Sequence, residues 1–321
     1  MTTARAFWTV APGQGEIRTE PLPAPLPGQL RLTTLATGIS RGTESLIFAG
    51  HVPPSQYAVM GAPLMAGHLP FPVKYGYSAV AHDTAGQRFF VLHPHQTAFN
   101  APAAMCIPVP AAVPTHRATL AANMETALNI AWDAAPLAGE RILVVGAGIV
   151  GLLTASLLAR IPAAIVTLID IDPAKARLAT QFGARFALPA NAPADQELIV
   201  HASATESGLR TALSSAAFEA RIVEASWFGT KAPALPLGEA FHARRLRLIS
   251  TQVGSIAPAM RGRRSYAQRL ALALDLLADP TYDALLEPPT PFEDLPAAMP
   301  RLLAGGLHHV VTYGDAPPCS A

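Results

Sequence analysis

The sequence predicts an α/β protein with two regions, a β-rich one and one built on a doubly wound parallel sheet. Three observations predict this. Residues 141–151, RILVVGAGIVG, pass from an apolar run through three spaced glycines into a helical apolar pattern. From about residue 115, short apolar runs alternate with helical patterns, which is typical of a parallel sheet covered on both faces. The first hundred residues alternate in short runs broken by glycine and proline, which is typical of a partly open barrel.

The β-rich region is predicted from its alternating segments. Residues 4–10 alternate well enough for a strand, whereas residues 20–28 form a proline-rich connector that cannot lie inside a sheet. Residues 29–37 alternate again, and Gly38 is expected to end that strand. Two further strands are expected at 77–82 and 88–92.

The second region opens with a helix predicted over 119–135 and closed by Pro136. The strands predicted after it are 142–145, 164–169, 185–188, 197–201, 220–225 and 246–251. An amphipathic helix at 266–278 and a final strand at 307–312, which should return to the first region, complete the chain. The predicted domains are therefore 1–119 with 253–321, and 120–252.

The glycine turn has the residues that a dinucleotide-binding loop needs. Gly146 permits the tight turn, Gly148 lets a pyrophosphate approach the backbone, and Gly151 lets helix and strand pack closely. The helix that starts at Ile149 and Val150 offers free N–H groups and a positive dipole end to the phosphates. A glycine triplet alone is weak evidence, but here a strand precedes it and a helix follows.

Asp170 follows the next predicted strand, about twenty residues after the last glycine. A carboxylate there accepts hydrogen bonds from the adenosine ribose and repels a 2′-phosphate, which favours NAD over NADP. Arg177 keeps NADP open because an arginine nearby can bind that phosphate, although a solvated helix position explains it equally well.

Composition excludes several classes of partner. Of 321 residues 50% are hydrophobic and 14% charged, and the net charge is +1, so neither nucleic acid nor an anionic membrane is expected. No apolar leader opens the chain, and no uncharged stretch is long enough to span a bilayer, so a soluble cytoplasmic protein is expected. The two cysteines, Cys106 and Cys319, exclude a four-cysteine zinc site and are expected to be unrelated thiols.

The order of β-rich region, glycine turn and returning tail resembles the medium-chain dehydrogenase/reductase superfamily over essentially the whole chain. The landmarks are 37–44 (TGISRGTE), 76–78 (GYS), 123–127 (NMETA), the glycine turn and 245–254 (RLRLISTQVG). The resemblance implies a GroES-like catalytic domain and a Rossmann domain that binds NAD(P). It also implies a small-molecule substrate and a homodimer formed through the edge strand at 246–251.

The departures from that pattern imply a zinc-independent member. Zinc-dependent members carry a cysteine ligand where this chain has Ser40, and a histidine ligand within the landmark that reads Gly76-Tyr77-Ser78 here. Glu125 lies near a third ligand position, but one carboxylate does not hold a zinc ion. Segment 38–44 is also similar to one in bacteriochlorophyllide dehydrogenases, which oxidise a hydroxyethyl side chain of a chlorin.

Without zinc, side-chain donors must stabilise the negative charge that develops on a carbonyl oxygen. The catalytic candidates, chosen because they lie on or near the loops that hold zinc in relatives, are Ser40, Thr43, Tyr77, Glu125 and His93. Each has a structural alternative. Ser40 and Thr43 can cap a turn or helix, Tyr77 can be a half-buried barrel residue, and Glu125 can favour a helix dipole. His93, with His95 two residues on, can act as a general acid, bind a metal or be a satisfied surface histidine.

The remaining cofactor candidates follow predicted strands. Ser203 and Ser226 lie just after two of them, where open α/β sheets bind ligands. Arg41 resembles an arginine that contacts the pyrophosphate in relatives. The basic run at 261–264, RGRR, can receive an anion or form a solvated loop.

These features favour an NAD(P)-dependent oxidoreductase that interconverts an alcohol and a carbonyl without zinc. Two alternatives stay open. One is reduction of an activated C=C bond, as in the zinc-free quinone and enoyl reductases of the superfamily. The other is a dinucleotide-binding sensor without turnover, because the sequence does not single out one proton donor.

Overall fold

The computed structural model describes residues 2–314, which divide into two compact units. The unit formed by Met1–Ala122 and Leu270–Ala321 is called the β unit, and the unit formed by Asn123–Arg269 is called the α/β unit. Cys319 lies outside the described residues. Within residues 2–314, no helix combines the length and the apolar character that crossing a membrane requires.

The strands run through both units. In chain order they are β1 (Thr3–Ala11), β2 (Gln14–Pro21), β3 (Gln29–Ile39), β4 (Ala66–Gly67), β5 (Val73–Lys74), β6 (Ala79–His82), β7 (Arg88–Val91), β8 (Ala98–Pro102), β9 (Ile107–Pro108), β10 (Arg141–Val145), β11 (Ile165–Ile169), β12 (Arg185–Ala187), β13 (Gln196–His201), β14 (Ala216–Glu224), β15 (Arg247–Ser250), β16 (Thr290–Pro291) and β17 (His309–Thr312).

The α-helices are fewer. They are α1 (Arg41–Ala49), α2 (Thr115–Ala118), α3 (Ala121–Ala134), α4 (Ile149–Leu158), α5 (Ala176–Gln181), α6 (Glu206–Ser215), α7 (Tyr266–Leu276) and α8 (Leu295–Ala304).

The α/β unit contains the predicted doubly wound sheet. Its six strands are all parallel and lie in the order β12-β11-β10-β13-β14-β15, so the order reverses next to β10. Apolar side chains from β10, β13 and β14 pack against the buried side of α6. Because β10 and its neighbours are buried on both faces, their sequences are continuous apolar runs, which made them predictable.

The β unit contains two largely antiparallel sheets. One has the order β2-β1-β5-β4, and the other has the order β16-β17-β3-β6-β7-β9, with β8 also paired to β3. The returning strand β17 runs antiparallel to β3. The parallel sheet of the α/β unit together with this separate antiparallel β unit confirms the predicted fold class.

Two predicted boundaries in the β unit are wrong for identifiable reasons. Strand β3 does not end at Gly38 but continues to Ile39, and a Cβ at Gly38 would lie 2.6 Å from the His308 ring. Glycine is therefore required there for close packing rather than for a turn. The helix predicted over 119–135 starts later, at Ala121, because residues 119 and 120 form a turn after α2, where the Thr119 carbonyl accepts a hydrogen bond from the Ser78 hydroxyl.

Two other features differ from the sequence prediction. Strands β2 and β8 were missed, since polar residues and prolines obscure their alternation. Residues 253–269, predicted to belong with the β-rich region, cluster with the α/β unit. Hydrogen bonds tie this segment to α3, because the Asn129 side chain accepts from Ala257 N and Arg269 donates to Glu125 and Asn129.

Candidate functional site

The glycine turn joins β10 to α4 at the carboxyl edge of the parallel sheet. Gly146 has φ +104°, and a Cβ there would lie 3.0 Å from the Ser203 backbone. A Cβ on Gly151 would lie 1.8 Å from the Gly146 carbonyl oxygen, so the helix can approach the strand only without a side chain. A Cβ on Gly148 would meet nothing within 4 Å. The backbone at Gly148 therefore faces open space, which fits a pyrophosphate at the start of α4.

Asp170 lies directly after β11 and faces this turn. One carboxylate oxygen accepts from Ala147 N at 2.6 Å and the other from Asp172 N at 3.0 Å. These bonds fix the carboxylate beside the glycine turn and leave each oxygen a second lone pair for a ribose hydroxyl. Arg177 is exposed on α5.

Ile171 is a residue that sequence reasoning missed. Its side chain is 84% exposed between two fixed acids, next to the carboxyl end of β11. A single exposed apolar residue is ordinary on a surface, but at a ligand-binding edge it offers a flat apolar contact to an aromatic base. No sequence signal marked it, because a single apolar residue between two acids has no distinctive pattern.

The ends of β13 and β14 carry a hydrogen-bonded group that includes both predicted serines. His201 is completely buried; its Nδ1 lies 2.7 Å from a Glu224 carboxylate oxygen and its Nε2 lies 2.7 Å from Ser203 Oγ. Ser203 Oγ lies 2.9 Å from Thr205 Oγ1. Ser226 accepts from Ala204 N at 3.0 Å and donates its own N–H to Glu224. His201 and Glu224 were not singled out from the sequence, since they are 23 residues apart.

In the β unit, three predicted catalytic residues come together. Tyr77 is half-buried, and hydrogen bonds with the hydroxyls of Ser40 and Thr43 stabilise its phenolate form. Burial, followed by the nearby Glu44 carboxylate, nevertheless raises the pKa of Tyr77 to about 12. Tyr77 therefore stays protonated at neutral pH and is a hydrogen-bond donor. We call Ser40, Thr43 and Tyr77 the hydroxyl cluster.

A second buried network lies beside the hydroxyl cluster. Glu44 is 4% exposed; one of its oxygens accepts from Ser40 N at 2.7 Å and the other lies 3.0 Å from His95 Nε2. His95 Nδ1 lies 2.6 Å from the Thr37 hydroxyl, which lies 3.0 Å from the Tyr313 hydroxyl. Ser40, rather than Thr43, is the N-cap of α1, so the capping alternative for Thr43 is wrong.

His93 does not belong to this network, and the structure argues against its predicted role as general acid. Its ring stacks on Phe99 with centroids 3.6 Å apart, and its Nδ1 bonds to the Pro94 carbonyl. Burial lowers the pKa of His93 to about 3, so the ring is neutral at physiological pH. A neutral buried imidazole cannot deliver a proton as a general acid, and we assign His93 to packing.

Glu125 is also better explained as a structural residue. It is 5% exposed and accepts from Arg269 Nε at 3.0 Å, while Arg269 also donates to Asn129. Burial raises the pKa of Glu125, and the Arg269 guanidinium opposes this. The Glu125 carboxylate is thus held in a buried ion pair with Arg269, and this pairing makes it a poor general base. Arg41 is the first residue of α1 and is half-buried.

The donor set does not fit zinc. Zinc in proteins takes thiolate, imidazole and carboxylate ligands, whereas the two zinc-ligand positions inferred from the family resemblance hold the hydroxyls of Ser40 and Tyr77. Within residues 2–314, no group of three or more His, Cys, Asp or Glu side chains is placed to hold a metal ion.

Comparisons with known proteins identify the fold. No family model matches the chain, and neither does any curated protein. An alcohol dehydrogenase from Escherichia coli with NADH, described as short-chain, matches with a TM-score of 0.78 and 17% identity, covering 97% of this chain and all of the other. Acetophenone reductase from Geotrichum candidum with NAD matches with a TM-score of 0.77 and 16% identity, covering 98% of each chain.

A third structure, 2R,3R-butanediol dehydrogenase from Bacillus subtilis, matches with a TM-score of 0.74 and 14% identity, covering 96% of this chain and 99% of the other. Two further matches are provisionally described as zinc-binding dehydrogenases, one of them bound to NADP. At these identities the likeness concerns architecture. The chain therefore has the two-unit α/β fold of these dehydrogenases.

Proposed function

We propose that this protein is an NAD(P)-dependent oxidoreductase that interconverts an alcohol and a carbonyl without zinc. The observation that carries the proposal is the glycine turn. It combines an open backbone position at Gly148, a left-handed bend at Gly146 and the fixed Asp170 carboxylate at one edge of a parallel sheet. Those features suit the pyrophosphate and the adenosine ribose of a dinucleotide.

When bound, NADH would supply a hydride to a carbonyl carbon, and the alkoxide that forms would take a proton from solvent to give the alcohol. The hydroxyl cluster supplies the donor that the developing oxyanion needs. Tyr77 donates its O–H to the substrate oxygen, and Ser40 and Thr43 hold the phenol in place. Because its pKa is raised, Tyr77 stabilises charge mainly as a hydrogen-bond donor and gives up its proton reluctantly.

NAD is the preferred cofactor in this proposal. The Asp170 carboxylate accepts from ribose hydroxyls and repels a 2′-phosphate. Exposed Arg177 is the feature that favours NADP instead, so both cofactors belong in the test. The homodimer through the edge strand, which the family resemblance implies, is also a proposal and is tested by light scattering.

The experiment has three parts. Fluorescence titration with NADH and NADPH should show binding, tighter for NADH. A panel of secondary alcohols, ketones, enones, quinones and a hydroxyethyl chlorin, followed at the nicotinamide absorbance, should give turnover with the alcohols or ketones. Metal analysis of protein purified without chelators should find less than stoichiometric zinc.

Each alternative has its own result. Turnover confined to enones or quinones would identify a C=C reductase, and binding without turnover across the panel would favour a sensor. Stoichiometric zinc that is required for activity would contradict the zinc-free chemistry. If neither reduced cofactor binds, the whole proposal is wrong.

A further inference from the structure

The direction of each hydrogen bond can be deduced along the chain Thr205–Ser203–His201–Glu224, which we call the Ser203 relay. The Glu224 carboxylate only accepts, and it takes one bond from Ser226 N at 2.8 Å and one from His201 Nδ1 at 2.7 Å. A neutral imidazole whose Nδ1 donates has an accepting Nε2. The Ser203 hydroxyl, 2.7 Å from Nε2, must then donate to it.

The other end of the relay gives the same direction. Thr205 Oγ1 accepts from Gly208 N at 3.1 Å and from the Ser207 hydroxyl at 3.5 Å. Its own proton is therefore available for Ser203 Oγ, 2.9 Å away. The Ser203 hydroxyl thus donates to His201 Nε2, accepts one hydrogen bond from Thr205 and has one lone pair left. It is an acceptor and not a donor toward anything that binds beside it.

The relay lies on the half of the sheet across β10 from Asp170. The strand order places β11 on one side of β10 and β13 and β14 on the other. Ser203 also contacts the glycine turn, because a Cβ on Gly146 would lie 3.0 Å from the Ser203 backbone. If the adenosine binds at Asp170 and the pyrophosphate at the glycine turn, the nicotinamide riboside half of the dinucleotide would lie on the Ser203 side.

We propose that Glu224 acts through His201 as a positioning residue, holding the Ser203 hydroxyl as an acceptor for a donor group of the nicotinamide riboside. That group is a ribose hydroxyl or the carboxamide N–H. The inference rests on the proposed function, because it presumes that a nicotinamide dinucleotide binds at the glycine turn. The proposal adds that the Ser203 position, at the carboxyl edge of the parallel sheet, binds hydrogen-bond donors of the ligand in preference to anionic groups.

The substitution Glu224→Gln tests the direction of the relay. The Gln oxygen keeps the bond from Ser226 N, so its NH2 faces His201 Nδ1 and the imidazole must take the Nε2–H form. Ser203 then receives that N–H and turns its own proton outward, where it opposes the ligand's donor. Nitrogen NMR of the histidine rings should show the proton on Nδ1 in the wild type and on Nε2 in E224Q, with the signal assigned by a His201→Asn variant.

Binding gives the second readout. NADH affinity should fall about tenfold in E224Q and by a smaller factor in S203A. The double variant E224Q/S203A should bind like S203A alone, because Glu224 acts through Ser203. Glu197→Gln is the matched control. Glu197 lies at the amino end of β13, the strand that carries His201 at its carboxyl end, and accepts from Arg141 N, so this substitution should leave NADH affinity unchanged.

The outcomes are separable. Three results would overturn the inference while leaving the proposed function intact. The first is a loss of NADH affinity from E224Q that is equally large in the S203A background. The others are a His201 tautomer that E224Q does not change, and a His201 ring that is doubly protonated in the wild type. A wild type that binds neither NADH nor NADPH would overturn both. The acetylpyridine analogue of NADH lacks the amide N–H and so identifies the donor group. If S203A leaves the affinity for this analogue unchanged, the carboxamide is the donor. If S203A lowers that affinity as much as it lowers NADH affinity, the ribose hydroxyl is the donor.

Discussion

Two alanine substitutions in the glycine turn should separate folding from cofactor binding. Gly151→Ala places a methyl group 1.8 Å from the Gly146 carbonyl oxygen, whereas ordinary van der Waals contact begins at 3.4 Å. The helix would have to move by about 1.6 Å to relieve this overlap with backbone. Overpacking of that kind costs about 1–3 kcal/mol or more, so we expect the free energy of unfolding to fall by about 3 kcal/mol.

Gly148→Ala is the matched control. Its φ of −71° and ψ of 178° suit alanine, and a Cβ there meets nothing within 4 Å. Reduced freedom of the unfolded chain stabilises the variant slightly, while the poorer N-cap destabilises it, so the free energy of unfolding should change by less than about 0.5 kcal/mol. The methyl group does, however, occupy the space that the pyrophosphate requires. We therefore expect NADH affinity to fall by about tenfold or more.

The assays are urea unfolding followed by circular dichroism and fluorescence titration with NADH. The expected pattern is a stable G148A variant that binds NADH poorly and a destabilised G151A variant. Wild-type affinity in G148A would refute the placement of the pyrophosphate at this turn. Wild-type stability in G151A would refute the packing argument.

Three further predictions follow from the site. Tyr77→Phe should lower kcat about 100-fold by removing the oxyanion donor. Tyr75→Phe is the control: the Tyr75 hydroxyl donates to the Met60 carbonyl, so its loss should lower thermal stability and spare kcat, and equal losses of kcat would contradict the role of Tyr77. Asp170→Ala should weaken NADH binding more than NADPH binding in titrations, with Asp172→Ala as control because that carboxylate caps a local turn; equal loss of both cofactors would contradict the ribose assignment. Burial lowers the pKa of His93 and of His308 to about 3, so between pH 6.5 and 3 the unfolded chain binds more protons than the folded one. The free energy of unfolding should therefore decrease as the pH is lowered, by up to about 1.4 kcal/mol per pH unit for each histidine. A urea midpoint unchanged from pH 7 to pH 5 would contradict this.

Part of the site could be predicted because its chemistry is local in sequence. The glycine turn needs three residues within one strand–turn–helix, and Asp170 ends the strand that follows. Ser40 is the N-cap of α1 and Thr43 lies in its first turn, and the departures at Ser40 and Tyr77 from the zinc-binding pattern of the family resemblance marked the hydroxyl cluster in advance. For the glycine turn, Asp170 and the start of α1, short-range backbone geometry determines where the side chains lie, whereas Tyr77 comes from a distant segment and was marked only by the family resemblance.

The choice between His93 and His95 needed the tertiary structure. Strand alternation would place both on one face, but residues 92–95 form a loop, so alternation does not apply. One ring packs on Phe99 and the other bonds to Glu44, which is 51 residues away. Nothing in the local sequence distinguishes the two environments.

The sequence by itself determined the fold class, the glycine turn and the acid after β11, because strand and helix periodicity and the steric demands of glycine act over a few neighbouring residues. Only the tertiary structure decided that Glu125 is neutralised by Arg269, 144 residues away, and that Glu224 fixes His201 and Ser203. Burial and hydrogen-bond direction depend on which distant segments the sheets bring together, and they decide whether an ionisable side chain reacts, packs or positions another.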